Sequence, residues 1–134
     1  MRHTTAAAIG LVWLGAALVG CSGTGGFADL ERDPSPADEI PLSDSELRIV
    51  DRDTARYIDE HDGTDLWLAR SLEDGICLIT YADESAWVVG CGGSDGPVGV
   101  GGMAGRFEAV PGGGTPPESG TQLSENVWAL HSEG

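Results

Sequence analysis

The side chains with the most chemistry to offer in this sequence are carboxylates. Asp59, Glu60, Asp62 and Asp65 crowd one short stretch. A hard cation such as Ca2+ takes six to eight oxygens, and carboxylates gathered at one turn could supply several of them. The spacing is not that of an EF-hand loop, so this Ca2+ site rests on proximity alone, against the plainer reading of a solvated acidic edge. Ser94 lies in Gly92-Gly93-Ser94-Asp95-Gly96, a G-x-S-x-G match. That elbow needs a helix behind the serine, and Pro97 followed by a glycine run does not provide one. Gly99-Val100-Gly101-Gly102-Met103-Ala104 matches the G-x-G-x-x-A fingerprint, but no βαβ unit accompanies it. Past residue 20 the histidines are His61 and His131, and their spacing builds neither a Ser-His-Asp nor a Cys-His arrangement. No catalytic residue is therefore assigned. Trp67, Trp87 and Trp128 could line a carbohydrate platform, although aromatic residues on strands ordinarily belong to a core.

The beginning of the chain carries a different kind of chemistry. Residues 1–5 hold one arginine, residues 6–20 are apolar, and the sequence then turns abruptly to Gly, Ser, Asp, Glu and Pro. A charged n-region, a short apolar h-region and a small residue before the break describe an export signal. A spanning helix wants roughly 20 apolar residues, more than this run holds. At the break stands Leu18-Val19-Gly20-Cys21. These four residues resemble the lipobox of bacterial lipoprotein precursors. The resemblance implies a diacylglyceryl group on the Cys21 thiol, cleavage of residues 1–20, and a protein held by its lipid on the extracytoplasmic face of the cell membrane. Beyond the signal, the layout resembles that of short lipoproteins exported by high-GC bacteria, which carries no catalytic residues across.

Export decides how the remaining cysteines are read. With Cys21 spent on lipid, Cys77 and Cys91 are left as an even pair. In an oxidising compartment the default for such a pair is a disulfide, and the spacing fits neither C-x-x-C nor a zinc pattern. The 134 residues carry a net charge of −15, and no lysine occurs. Cleavage after residue 20 would leave six arginines against 22 acids, a balance of −16. Such a chain is a poor partner for nucleic acid, whose phosphates call for clustered Lys and Arg. An anionic membrane surface would repel it, so the lipid is the expected membrane contact.

The elements that must position these residues follow from the patterning. Residues 21–42 read as the lipidated cysteine and a flexible acidic linker, rich in Gly and Pro, whose span would be roughly 25 Å. Ser43-Asp44-Ser45-Glu46 has the form of a capping box, which predicts a short helix before Asp51. Runs over 55–60 and 64–70 flank Asp62-Gly63, a strong hairpin signal. Either a two-residue turn sets Glu60 opposite Asp65, or a three-residue loop sets Asp59 there. A second hairpin over 76–81 and 87–91 has an informative register: Tyr81 facing Trp87 brings Ile79 to Val89 and Cys77 to Cys91, one coherent core face. Its other face is also apolar, which predicts cover on both sides. Shorter strands are expected near 98–103 and 106–110, then a polar loop over 111–125 and a terminal strand over 126–130.

Together these readings predict a mainly β protein: a small antiparallel domain of five to seven short strands over 43–134, a sandwich or an open barrel, stapled by Cys77–Cys91. The favoured function is a non-catalytic envelope module that displays a β surface to an envelope protein or wall polymer. The alternative is a small extracytoplasmic hydrolase, or a Ca2+-binding module. An enzyme needs at least two titratable groups converging in a cleft, and the sequence offers candidates only on separate turns.

Overall fold

A computed structural model describes residues 26–131. Cys21 and the expected export segment lie outside these residues. Over these residues the protein is mainly β, with eight strands in two open four-stranded antiparallel sheets rather than a closed barrel. Sheet one is a meander of β1 (Val50–His61), β2 (Thr64–Ser71), β3 (Gly75–Asp83) and β4 (Ala86–Gly93). Sheet two contains β5 (Val98–Gly102), β6 (Gly105–Ala109), β7 (Gly120–Gln122) and β8 (Val127–Leu130), in the order β5-β6-β8-β7. The strand beyond the expected five to seven is β7, three residues inside the stretch read as a polar loop. Gly120-Thr121-Gln122 carries too little alternation to announce itself.

The first hairpin closes through the two-residue turn. His61 pairs with Thr64 and Glu60 with Asp65, while Asp62 and Gly63 adopt φ of 50° and 82°. Both central residues of a type I′ turn need positive φ, which is why Asp-Gly serves there. β1 is longer than expected because it continues through a bulge between Asp51 and Arg56. Thr54 mends the ladder there: its hydroxyl donates to the Asp51 carbonyl and accepts from the Arg70 N–H. The second hairpin takes the expected register throughout, with Tyr81 opposite Trp87, Ile79 opposite Val89 and Cys77 opposite Cys91. The two cysteines form a disulfide across a Cα separation of 4.1 Å, close to the spacing of a non-hydrogen-bonded pair.

One core lies between the sheets. Leu66, Leu68, Ile76 and Leu78 face Val100, Phe107, Val127 and their neighbours across it. The sheets meet most closely where β4 passes β5, and Gly90 makes that possible: a Cβ there would stand 2.4 Å from Val100 Cγ1.

A second core covers the other face of sheet one, where Trp67, Ala69, Cys77 and Ile79 pack against Ile40, Leu42 and Leu47. Those covering residues belong to the stretch read as a flexible linker and a short helix. From Phe27 onward the linker reading is corrected. Phe27, Leu30, Ile40 and Leu42 are buried, and two 3-10 turns, Ala28–Glu31 and Pro36–Asp38, shape a strap over 27–49 that crosses sheet one. The capping box does form, Ser43 N–H donating to Glu46 at 2.7 Å, but it closes turns rather than a helix.

Polar groups tie the strap down. Asp38 accepts from Tyr57 N–H at 2.7 Å and from Ser35 N–H at 2.6 Å, and Trp67 Nε1 donates to the Ala37 carbonyl. Arg52 donates to the Ile40 and Leu42 carbonyls, and Arg56 to that of Arg32. The start of the strap is clamped to sheet two. Asn126, buried to 1% exposure, accepts from Asp29 N–H and donates to the Val110 carbonyl, while Asp29 accepts from Asn126 N–H. Gly112 N–H donates to the Gly26 carbonyl beside this clamp.

Antiparallel pairing sorts the turns into two ends. One end carries the turns after His61, Asp83 and Gly102, together with His131. The other carries the turns after Ser71 and Gly93, the Asn126 clamp and Gly26.

Candidate functional site

The residues singled out from the sequence do not converge. Glu60 and Asp65 do face each other across the first hairpin, but Asp65 accepts the Tyr57 hydroxyl at 2.7 Å. Burial, and then that bond to Asp65, raises the Tyr57 phenol well above its ordinary range, so it remains a donor. Asp62 sits in the turn, 3.3 Å from His61 Nε2. Among the described residues no three His, Cys, Asp or Glu gather closely enough to hold a metal ion. A Ca2+ site at Asp59, Glu60, Asp62 and Asp65 therefore finds no geometric support: alternation along β1 and β2 divides side chains between faces, and Asp65 is engaged elsewhere.

Ser94 is exposed in the turn between β4 and β5, its hydroxyl directed to Asp95, and a strand follows it rather than the helix an elbow requires. The glycine fingerprint is the β5–β6 hairpin itself. The tryptophans part company as well. Trp67 is buried under the strap at 4% exposure, while Trp87 and Trp128 are half-buried on different sheets.

What the fold does assemble is a furrow on sheet two. Strand alternation turns Val98, Val100, Phe107, Ala109, Val127 and Ala129 into the core, so the positions between them face outward. On β6 these are Arg106 and Glu108, and on β8 Trp128 and Leu130. On β5 they are Gly99 and Gly101, which leave bare backbone. The loop after β6 supplies a wall at Pro117, Glu118 and Ser119. Cavities of about 310, 390 and 600 Å3 meet at Arg106 and Leu130, which line all three. The first lies along Gly99 and Gly101, the second reaches His61, and the third reaches His131, whose Nε2 lies 3.0 Å from the Thr121 hydroxyl. His61 is held edge-on to Phe107, with ring centroids 6.2 Å apart. Thr64 pins this end by donating to the Ala104 carbonyl across the two hairpins. Cavities of about 350 and 280 Å3 also border the strap, but the residues lining them, such as Asn126 and Arg52, are engaged in holding it.

Arg106 is the residue that reading the sequence missed. Arg32, Arg52 and Arg70 each pair with a carboxylate of the strap, and Arg56 bonds backbone carbonyls. Arg48 and Arg106 are both exposed, with neither an ion-pair partner nor a hydrogen-bond acceptor among the described residues, and of the two Arg106 lines the cavities above. The available signal was the alternation of Gly99 and Gly101 with valines, opposite Arg106 and Glu108: a strand whose outward face carries no side chain leaves room for something else.

Comparison with known proteins gives no matching family model, no matching curated protein and no matching solved structure. Among the described residues no helix is long and apolar enough to cross a membrane.

Proposed function

We propose that this chain is an envelope lipoprotein, held on the extracytoplasmic face of the cell membrane through a lipid on Cys21, whose β domain works as a non-catalytic binding module. The anchoring half rests on Leu18-Val19-Gly20-Cys21 at the end of a short apolar run. Two acyl chains hold a protein stably where one does not, since each buried CH2 contributes about 0.8 kcal/mol. The binding half rests on one observation: the furrow of sheet two presents an unpaired guanidinium, outward carboxylates and bare backbone on a rigid sheet. Those groups can recognise a ligand by charge and hydrogen bonds.

The test has two arms in one strain. Cells expressing the full chain are grown with a labelled fatty acid, and the membrane fraction is crosslinked mildly before purification. Wild-type protein is expected to carry label and fractionate with membranes, and Cys21→Ala to lose both. Soluble, unlabelled wild-type protein would refute the anchor. A wild-type chain that retains no envelope component, or one that releases cleaved product from what it retains, would refute the binding module.

A further inference from the structure

We infer that the outward face of sheet one, beyond the strap, docks an arginine-bearing peptide segment of a partner protein, its guanidinium held by the carboxylates of Glu60 and Asp65 and the rings of Tyr81 and Trp87. This surface lies on the other sheet from the furrow and rests neither on the furrow nor on the lipid. Register builds it. Glu60 pairs with Asp65, Asp65 with Tyr81 and Tyr81 with Trp87, so one straight row crosses all four strands. Directly opposed residues project to the same face. Tyr81 and Trp87 pack against the second core, which places the row on the strap's side of the sheet. The strap's own bonds come no nearer than the next row, at Tyr57 N–H and Trp67 Nε1. Glu60 is accordingly exposed, and Asp65, Tyr81 and Trp87 are half-buried.

The charge of this row picks the sign of the occupant. Like charges directly opposite each other on paired strands are destabilising, and Glu60 and Asp65 stand so. Neither has a cationic partner among the described residues: Arg32, Arg52 and Arg70 pair with carboxylates of the strap, and His61 with Asp62. Asp65 spends one oxygen on the Tyr57 hydroxyl at 2.7 Å and keeps the other. Exposed Asp83 and Glu84, in the turn after Tyr81, extend the negative field past the rings. The rings then pick the kind of cation. No third ligand stands close enough for a metal ion among the described residues, whereas a guanidinium bonds a carboxylate through its edge and stacks on an aromatic ring through its face. Adjacent strands lie about 4.8 Å apart, so a guanidinium over Tyr81 is within reach of Asp65. Three such intervals make a row of about 14 Å, longer than one side chain needs, which suits a peptide better than a lone amine. A neutral sugar would use the rings and leave the facing carboxylates unanswered. Sheet two has no equivalent: its row Gly99, Glu108, Trp128 and Gln122 sets one carboxylate beside one indole, with Arg106 on the same face.

Isothermal titration of the detergent-solubilised full chain with the peptide acetyl-Gly-Arg-Gly-Arg-Gly-amide tests this, beside the same peptide with citrulline for arginine and a neutral N-acetylglucosamine hexamer. The wild-type chain is expected to bind the arginine peptide, to bind the citrulline peptide at least tenfold more weakly, and to ignore the saccharide. The double variant Glu60→Gln with Asp65→Asn is expected to lose at least tenfold, and Trp87→Leu severalfold, with near-ultraviolet circular dichroism showing both folded. Glu73→Gln with Asp74→Asn removes the same charge at the opposite end of the molecule and is expected to leave the affinity within twofold. Equal losses in the two double variants would overturn the site in favour of general acidity. Equal binding of arginine and citrulline peptides, or binding of the saccharide in their place, would overturn the cation. An unchanged affinity in Trp87→Leu would remove the rings from the site, and a wild-type chain that binds no arginine peptide would overturn the inference while leaving the furrow and the anchor standing.

Discussion

The outward faces of the two sheets are built to opposite ends. Sheet one is covered: the strap lays Ile40, Leu42 and Leu47 over Trp67, Cys77 and Ile79, and four arginines and two buried aspartates fasten it. Sheet two has no such cover among the described residues, and its outward positions carry glycine, Arg106, Glu108 and Leu130. The same alternation runs through both, yet one face reads as a near-continuous apolar run and the other as apolar alternating with polar, as two-sided and one-sided burial require. The contrast separates structure from display. Where arginines are bonded to backbone carbonyls they hold the fold, whereas Arg106 on the open sheet has no such bond among the described residues.

The largest effect expected from this contrast is at the tryptophans. Trp67→Ala should remove about 3–5 kcal/mol, the usual cost of deleting a buried large aromatic side chain. Trp128→Ala, on the open face, should cost less than half as much. Urea unfolding of the two variants measures the difference, and equal losses would mean that sheet two is covered after all.

Next in size is the Cys77–Cys91 bridge, which staples the covered sheet to its edge strand. Reducing it should lower stability by about 3 kcal/mol, the loop-closure contribution of a ring of this length. For a domain this small that corresponds to a fall of roughly 12–24 °C in Tm, read by calorimetry with and without reductant. Below that stands Gly90→Ala at the corner where the sheets meet. The new methyl would collide with Val100, and overpacking of this kind costs about 1–3 kcal/mol. The double variant Gly90→Ala with Val100→Ala should recover part of the loss, and no recovery would place the strain elsewhere. The smallest effect is at Arg106 itself: Arg106→Ala should change stability by less than about 0.5 kcal/mol, as an exposed and unbonded side chain does. A larger change would make Arg106 a structural residue like the four of the strap.

Legibility in the sequence follows the same divide. The register of Tyr81 with Trp87 and of Cys77 with Cys91 was readable because alternation and the cysteine pair impose one parity on both strands. Asp62-Gly63 likewise announced its turn through the φ it needed. The strap was not legible, because its buried residues are thinly spread among acids, so that averaged composition resembles a linker. Asp29 and Asp38 count there as solvated charges, whereas each accepts backbone N–H groups inside the fold. The furrow was hidden for another reason: Arg106, His61 and His131 are far apart in sequence, and it takes both the packing of His61 against Phe107 from the other sheet and the pairing of β6 with β8 to bring them near one another.

The clamp of Asp29 onto Asn126 bears on how the domain would stand over a bilayer. Phe27 is buried, and four residues separate Cys21 from Gly26, a reach of at most about 18 Å between the two. A lipid on Cys21 would then moor the molecule by one fixed end rather than let it drift on a long tether. Gly26, the Asn126 clamp and the turns after Ser71 and Gly93 would look down at the headgroups. The His61 turn and His131 would stand at the far end of the strands, away from the membrane.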